Sequence, residues 1–478
     1  MTNDEAGFRK SLNIFDSTAI VAGSMIGSGI FIVSADMARN LGSPGYLLLA
    51  WVITGIMTLI AALSYGELAA MMPRAGGQYV YLREAFNPFS GFLYGWTFFM
   101  VIQTGTIAAV AMAFSKFMGV LVPWFAESNI LFRLGNIRIT TVHLLAILMI
   151  VVLTYNNVLG IRNAKWVQNF FTAIKVILLV GFIFIGLFIA KNLPAVVANK
   201  AIFWQPVGLN GELLTGWALV VAIGIALVGS MFSADAWNSI TFAAAEVKNP
   251  KKTIPFSLLL GVSIVIILYI LANMAYLNTL PLRGNPDGAS VMERGMQYAT
   301  NDRLGSASIY GLFGAGAATI MAAFVVVSTF GCNNGLILSG ARVYYAMAND
   351  NLFFRSVGKL NKRGVPSNGL IFQAVWASLL CLSGTYSELL DYVVIAVLLF
   401  YILTIVGIYV LRYKKPDADR PYKAFGYPVI PLVYIACAMT MMYILLRYKP
   451  DHTWPGIYIV LIGIPVFVVW RRWAKVKG

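Results

Sequence analysis

The stretch Gly23-Ser24-Met25-Ile26-Gly27-Ser28-Gly29-Ile30-Phe31 places three glycines within seven residues of an otherwise apolar run. A second stretch, Gly229-Ser230-Met231-Phe232-Ser233-Ala234-Asp235-Ala236-Trp237-Asn238, breaks another apolar run with small and polar residues. A helix broken at the membrane midplane frees N–H groups where one half starts and C=O groups where the other half ends. Lipid cannot satisfy these groups. A zwitterionic solute can: its carboxylate accepts from the N–H groups at the positive dipole end, and its ammonium donates to the freed carbonyls. Glycine at 27 and 29 is expected to give φ freedom and to let a ligand approach the backbone. The competing reading, that such glycines only allow close helix packing, accounts for one broken run more easily than for two in corresponding places.

Around these breaks, a span needs about 20 apolar residues to cross about 30 Å of hydrocarbon. Spans are predicted at 16–38, 45–71, 90–121, 139–159, 165–190, 212–244, 254–278, 305–346, 367–385, 388–411, 427–446 and 454–471. Span 8 is too long for one crossing, and its ends are expected to be a short external helix and a cytoplasmic extension. The interrupted spans are the first and the sixth, five apart. That spacing points to an inverted repeat of five helices. The chain is therefore expected to be an all-α integral membrane protein with about 12 transmembrane helices, in a 5+5 inverted repeat with discontinuous helices 1 and 6. The first repeat is placed at 16–190, the second at 212–411, and two appended helices at 427–471. Residues 1–15 and 472–478 read as cytoplasmic tails.

Composition agrees. The chain is 59% hydrophobic and 11% charged, with a mean hydropathy of +0.77; a soluble domain carries about 25% charged residues. The net charge of +16 follows the positive-inside rule. With the N-terminus in the cytoplasm, 23 of the 35 Lys and Arg fall on the cytoplasmic side, 11 outside and one within a span. An even number of spans puts both termini inside, in a cell membrane. No soluble basic domain argues for nucleic acid.

Cys332, Cys381 and Cys437 lie in apolar runs and suggest no disulfide. His143 and His452 are isolated, so neither metal nor other cofactor is expected. The polar start, Met1 to Phe15, does not read as a signal peptide. The lack of an Asn-x-Ser/Thr sequon fits a prokaryotic membrane. An enzyme would want paired carboxylates, His clusters or a Ser/Lys arrangement inside the spans, and the spans offer none. A nutrient sensor would add a soluble signalling domain, whereas both tails are short. Lys175 sits in Phe171-Thr172-Ala173-Ile174-Lys175-Val176-Ile177, ten residues into a span that starts near Lys165. That is about 15 Å deep, too deep for easy snorkelling, so its charge needs a partner or water. Trp51, Trp96, Trp166 and Trp470 read as interface belts.

Further motifs run through the chain in order: Ser64-Tyr65-Gly66-Glu67-Leu68; Pro73-Arg74-Ala75-Gly76-Gly77-Gln78-Tyr79; Glu246-Val247-Lys248-Asn249-Pro250; and Lys415-Pro416 to Arg420-Pro421. With the two breaks, these six blocks resemble the amino acid–polyamine–organocation superfamily, and within it the L-type amino acid transporter branch. The resemblance covers nearly the whole chain. It implies that the Met25 and Ile26 carbonyls face the substrate ammonium, that the Ser28 and Gly29 N–H groups hold the carboxylate, and that Gly27 belongs to the unwound, substrate-binding segment between them. Phe232 corresponds to the aromatic that closes over the substrate, Ser233 and Asp235 to backbone contacts of span 6, and Asn238 to a pocket-supporting polar residue. Gln103, Gly105 and Thr106 fall where span 3 lines the site. Lys175 falls where sodium-coupled relatives bind a cation between spans 1, 5 and 8, so its ammonium is expected to reach carbonyls near Ala22 and Gly23, with Ser328 and Thr329 close by. Glu67 and Glu246 stand where gate ion pairs form, or are plain solvated charges.

Two departures from the family pattern bear on function. Where the family often has Gly-Gly before Trp-Asn, this chain has Asp235-Ala236. Asp235 then contacts a substrate amine, a cationic side chain or a proton, or else caps the second half of span 6. Mammalian members carry a loop cysteine after span 3 that bridges to a glycoprotein heavy chain. The loop from Leu121 to Ile139 has none, so no disulfide-linked heavy chain is expected. The function implied is alternating-access transport of neutral amino acids by sodium-independent exchange. Proton-coupled permeation and carriage of cationic amino acids or polyamines stand as alternatives.

Overall fold

A computed structural model describes residues 8, 10–134, 137–382 and 386–476. Most of the predicted tail residues at 1–7 and 9, the last two residues, and the His452 side chain lie outside the described residues. The fold is almost entirely helical. Among the described residues, eleven helical segments are long and apolar enough to cross a membrane, and Ser367–Cys381 is a shorter apolar helix at the place of span 9. The small exception among the described residues is a hairpin of Ile130–Leu134 and Ile137–Thr140 between spans 3 and 4.

The ends of the spans follow local chemistry. Span 1 starts at Ile14–Met25 behind a capping box in which Asn13 Oδ1 accepts from the Asp16 N–H at 2.9 Å and Asp16 Oδ2 accepts from the Asn13 N–H at 3.1 Å. Pro44 and Pro250 open spans 2 (Pro44–Met71) and 7 (Pro250–Thr279), where the lost N–H is not missed. Span 8 divides as anticipated, into a short helix Leu304–Phe313 and a long helix Ala315–Asn349.

Both predicted breaks are present. Span 1 stops at Met25 and resumes as a 3-10 turn, Gly29–Phe31, and then Val33–Leu41. Span 6 runs Gly216–Ser233, breaks, and resumes as the single turn Ser239–Phe242. A third irregularity carried no signal in the sequence: a π-helical turn, Phe98–Ile102, inside span 3, directly before Gln103. The Gly-Gly block of residues 76–77 leads into the short helix Gln78–Ala85. Both glycines have positive φ, and a Cβ on Gly77 would stand 2.9 Å from the Thr241 backbone. That close approach docks the segment under the second half of span 6.

Spans 1 to 4 each pack against the span five places later, with spans 2 and 7 the most extensively joined. Spans 4, 5, 7, 11 and 12 present apolar side chains such as Leu148, Ile177, Ile267, Leu432 and Val469 outward, as lipid-facing helices do. Trp51 corrects the interface-belt expectation. It is fully buried, donates to Ser34 Oγ at 3.2 Å and meets Tyr269 edge to face. Trp166, 65% exposed, has the surface position expected of a belt residue.

Candidate functional site

The two breaks touch. A Cβ on Gly29 would lie 2.7 Å from Ser233 Cβ and 3.0 Å from its Cα, so only glycine lets spans 1 and 6 meet there. Gly27 plays the same part toward span 8, with Cys332 Sγ 3.0 Å from a would-be Cβ. Neither glycine uses positive φ. The expectation of φ freedom is therefore corrected: close packing at the break is what requires glycine. Gly105 similarly faces Val393, 3.2 Å from a would-be Cβ.

The carbonyls freed at the span-1 break are held by side chains. Lys175 is fully buried and donates its Nζ to the carbonyls of Gly23 and, at 2.7 Å, Ile26. Ser328 Oγ donates to Gly27 O at 3.2 Å and Ile26 O at 3.4 Å. Cys332 Sγ approaches Ser24 O at 3.0 Å. Thr329 turns instead to its own helix, donating to Val325 O at 2.8 Å. Tyr269 Oη joins the two breaks by reaching Met25 O at 2.9 Å and Ser233 O at 3.2 Å. Thus the Met25 and Ile26 carbonyls, assigned to a substrate ammonium, already accept from Tyr269 and from Lys175. Met25, Ile26 and Ser28 are all buried.

On the other side of span 6 a narrow chamber of about 20 Å³ is bounded by Gln103 and Thr106 of span 3, Asp235 and Asn238 of the break, and Tyr401 of span 10 (Tyr386–Lys414). That volume suits a single water. Asp235 Oδ1 accepts from Tyr401 Oη at 2.5 Å. Asp235 does not cap the resumed helix: its N-cap is Asn238, with no side-chain cap bond. Asn238 Nδ2 donates to Gln78 Oε1 at 3.3 Å, and Gln78 Nε2 to Thr404 Oγ1 at 3.0 Å. Gln103 Nε2 donates to Leu336 O and Thr106 Oγ1 to Ile102 O, each at 2.6 Å; the latter acceptor belongs to the π turn. A second narrow space of about 20 Å³, nearly all apolar, shares Asp235 and Tyr401 and is walled by Phe232 and Trp237. Ser233 lines neither; its hydroxyl donates to Gly229 O at 2.9 Å. Sequence reasoning does not single out Gln78, Tyr269 or Tyr401. Gln78 at least follows the Gly-Gly block directly, whereas the two tyrosines sit in apolar runs that give no sign of polar duty.

Ala236 has φ +65°, left-handed backbone that costs an L-residue about 1–2 kcal/mol. This is the second position of the pair, Asp235-Ala236, where the resembled family often has Gly-Gly.

The end of the bundle bearing the N-terminal residues is closed by ion pairs. Glu246 and Arg342 are both almost fully buried and meet at 2.8 Å. Glu67 holds Arg412 at 2.7 Å and also accepts from the Ala424 N–H at 2.6 Å. Arg83 pairs with Asp350. Ser11 and Leu12 donate their N–H groups to Glu246 O at 2.9 and 3.0 Å, strapping the chain start across the same end. At the opposite end Arg39 joins Asp302 at 2.6 Å.

Comparison with known proteins agrees with this architecture. The model of the family "Amino acid permease" matches residues 12–468. The b(0,+)-type amino acid transporter 1 of Mus musculus is 28% identical over 455 residues, which is 95% of this chain and 85% of the relative. The large neutral amino acids transporter small subunit 2 of Homo sapiens is 29% identical over 472 residues, 97% of this chain and 81% of the relative. These relatives are transporters by name, and not enzymes. A family match over nearly the whole chain, joined to two helix breaks that meet inside a many-span bundle, leads to one conclusion: the chain is a membrane protein of the amino acid permease family and transports amino acids.

Proposed function

We propose that this chain exchanges neutral amino acids across the membrane without sodium, by alternating access between the halves 16–190 and 212–411. The observation that carries the reading is Lys175. Its buried ammonium donates to the Gly23 and Ile26 carbonyls, supplying from the protein the positive charge that a bound cation brings to such carbonyls. A fixed ammonium removes the need for an ion to enter and leave with each cycle. The touching breaks supply the moving parts, and the pairs Glu246–Arg342 and Arg39–Asp302 hold the two ends shut. The Lys and Arg distribution supports assigning the ion-paired, tail-bearing end to the cytoplasm of a cell membrane. A relative named for large neutral amino acids supports the substrate class. The substrate contacts proposed are the N–H groups of the resuming helix at Gly27 to Gly29, the carbonyls of Met25 and Ile26 once freed by movement, and the side chains of Gln103, Thr106 and Asn238. Phe232 would close over the substrate, with Gly105, Ser233 and Asp235 along the wall.

The test is release of preloaded radiolabelled leucine from proteoliposomes, without sodium and at equal pH, with and without unlabelled amino acid outside. Release that requires external amino acid is the expected result. Uptake only under a sodium or acid-outside gradient would sink the reading and make the chain a coupled permease, with Lys175 or Asp235 as the titrating group.

A second reading rests on Asp235. It borders the polar chamber beside Tyr94, Phe98, Phe400 and Tyr401, and a carboxylate among aromatic rings suits a cationic side chain. Under this reading arginine outcompetes leucine in the same assay, and Asp235→Asn abolishes that preference.

A further inference from the structure

At the end opposite the ion-paired one, helix Leu304–Phe313 lies over the span-1 break. A Cβ on its Gly305 would stand 3.0 Å from the Phe31 ring, and Ser308 Oγ meets Thr279 Oγ1 at 2.7 Å. The opposite face of this helix behaves differently. Arg303, Ser306 and Tyr310 recur at the three-to-four residue spacing of one helix face and border a cavity of about 530 Å³. Arg294, Ser290 and Thr300 enter the same cavity from the preceding segment.

Two donors here lack acceptors. Arg303 Nε and Ser306 Oγ are both buried, and neither has a hydrogen-bond partner among the described residues. A buried unpaired donor costs about 1–3 kcal/mol, more when charged, so two on one cavity wall call for a physical cause. Arg294 is already engaged in part, donating its Nε to Gly288 O at 2.7 Å and an NH1 to Thr300 Oγ1 at 2.9 Å, and so stands fixed beside them. The carboxylates nearby are committed. Glu127, which acts on Arg303, is ion-paired with Lys116 at 3.4 Å, and Glu293 accepts from the Ala289 N–H at 2.9 Å. Val120, Val291 and Ala318 make the remaining wall apolar.

We propose that this cavity binds an oxyanion borne on an apolar body, the Arg303 and Ser306 side chains turning out of the wall so that Nε and Oγ donate to its oxygens under the charge of Arg294. Two ligand sources share this chemistry: an anionic phospholipid headgroup, and the carboxylate of an apolar amino acid held before entry. Either would bear on the helix that covers the span-1 break. The site is separate from the chamber at Asp235, and its occupancy can be read without any transport measurement. Failure of this inference and failure of the exchange reading are therefore distinguishable.

The experiment is a titration of the thermal unfolding midpoint of the purified full chain in a non-ionic detergent. The probes are dioctanoyl-phosphatidylglycerol and leucine, on the wild type, Arg303→Gln, Ser306→Ala and Arg294→Gln. The wild-type midpoint should rise saturably with at least one of the two probes, and only the probe that fills this cavity should lose affinity in the variants. For that probe, Arg303→Gln should raise the half-saturating concentration at least tenfold and Ser306→Ala several-fold. A phosphatidylglycerol shift that the variants weaken identifies a lipid site, and a leucine shift that they weaken identifies a staging site for substrate, since leucine held at the central breaks shifts wild type and variants alike. Ser306→Ala removes one hydroxyl and keeps every charge, so it serves if Arg303→Gln unfolds early. Half-saturation unchanged for both probes in Ser306→Ala and in the folded arginine variants would overturn the proposal.

Discussion

At the scale of single residues, the physics of the site is that of polar groups that lipid cannot serve. Lys175 is placed so that its ammonium serves backbone carbonyls released where span 1 unwinds. Removing the ammonium strands those carbonyls, each at a cost of about 1–3 kcal/mol. We predict that Lys175→Met lowers the exchange rate at least about tenfold, since about 1.4 kcal/mol is a factor of ten, with the protein still inserted. Initial rates in proteoliposomes at matched protein content check this, and an unchanged rate would refute the role. Ala236 offers a test of opposite sign. Its φ of +65° strains an L-residue by about 1–2 kcal/mol, while glycine loses about 0.5–1 kcal/mol in chain entropy. Ala236→Gly should therefore leave stability level or raise it by up to about 1.5 kcal/mol, and Ala236→Val, whose branched side chain is worse in left-handed backbone, should lower it. Thermal unfolding in detergent ranks the three proteins, and valine at or above alanine would contradict the strain argument.

At the scale of elements, spans 1 and 6 work because their breaks can touch. Gly29 and Ser233 are nearer than any side chain on residue 29 allows, and part of the obstruction is backbone, which cannot rotate away. We predict that Gly29→Ala separates the half-helices and slows exchange by more than about tenfold, although alanine is the better helix former. Transport at the wild-type rate would show that the contact is dispensable. The resumed end of span 6 is pinned by Glu246–Arg342, buried on both sides. Breaking such a pair from one side leaves a charge uncompensated, about 3–5 kcal/mol, while replacing both partners by apolar groups is often neutral. Arg342→Met should thus lower the unfolding midpoint far more than Arg342→Met with Glu246→Leu. Equal losses would mean the pair is not coupled.

The breaks were legible in the sequence because clustered glycine and serine weaken a helix that lipid would otherwise favour, and a span keeps such a cluster only where the helix stops. The division of span 8 and the need of Lys175 for a buried partner were legible for a related reason: length and depth alone constrain them, whereas its hold on the span-1 carbonyls was legible only through the family resemblance. What the glycines are for was not. Close approach and φ freedom leave the same letters, and only three-dimensional contact tells that Gly27 and Gly29 serve the former. Nor was the pairing of Asp235 with Tyr401, because Tyr401 stands in an apolar run and the register of span 10 against span 6 is not written in either segment. Trp51 went astray by a similar route. Aromatic residues near span ends suit interfaces on average, and nothing local shows that a Ser34 hydroxyl waits in the interior.

For the molecule as a whole, both ends are tied and the chamber between spans 3, 6 and 10 has space for about one water, 20 Å³. An amino acid can enter only if the walls part. Asp235 and Tyr401 border both the polar and the apolar space, so parting them must disturb what packs on that pair. Trp237 is the sensitive point. It is buried in the break, with its ring 4.8 Å from that of Tyr65 and 5.3 Å from that of Tyr401. We predict that leucine changes the intrinsic fluorescence of the purified protein and that Trp237→Phe removes most of the change, although ten of the 11 tryptophans remain. The variant keeps an aromatic ring, so loss of signal does not require loss of packing, and retained exchange by Trp237→Phe would confirm that the fold persists. A change equal in size in wild type and variant would place the movement elsewhere, in spans that slide past a rigid break. The narrow chamber would then widen by displacement of spans 3 and 10, with the ion-paired end and its strap of Ser11 and Leu12 as the parts that must give.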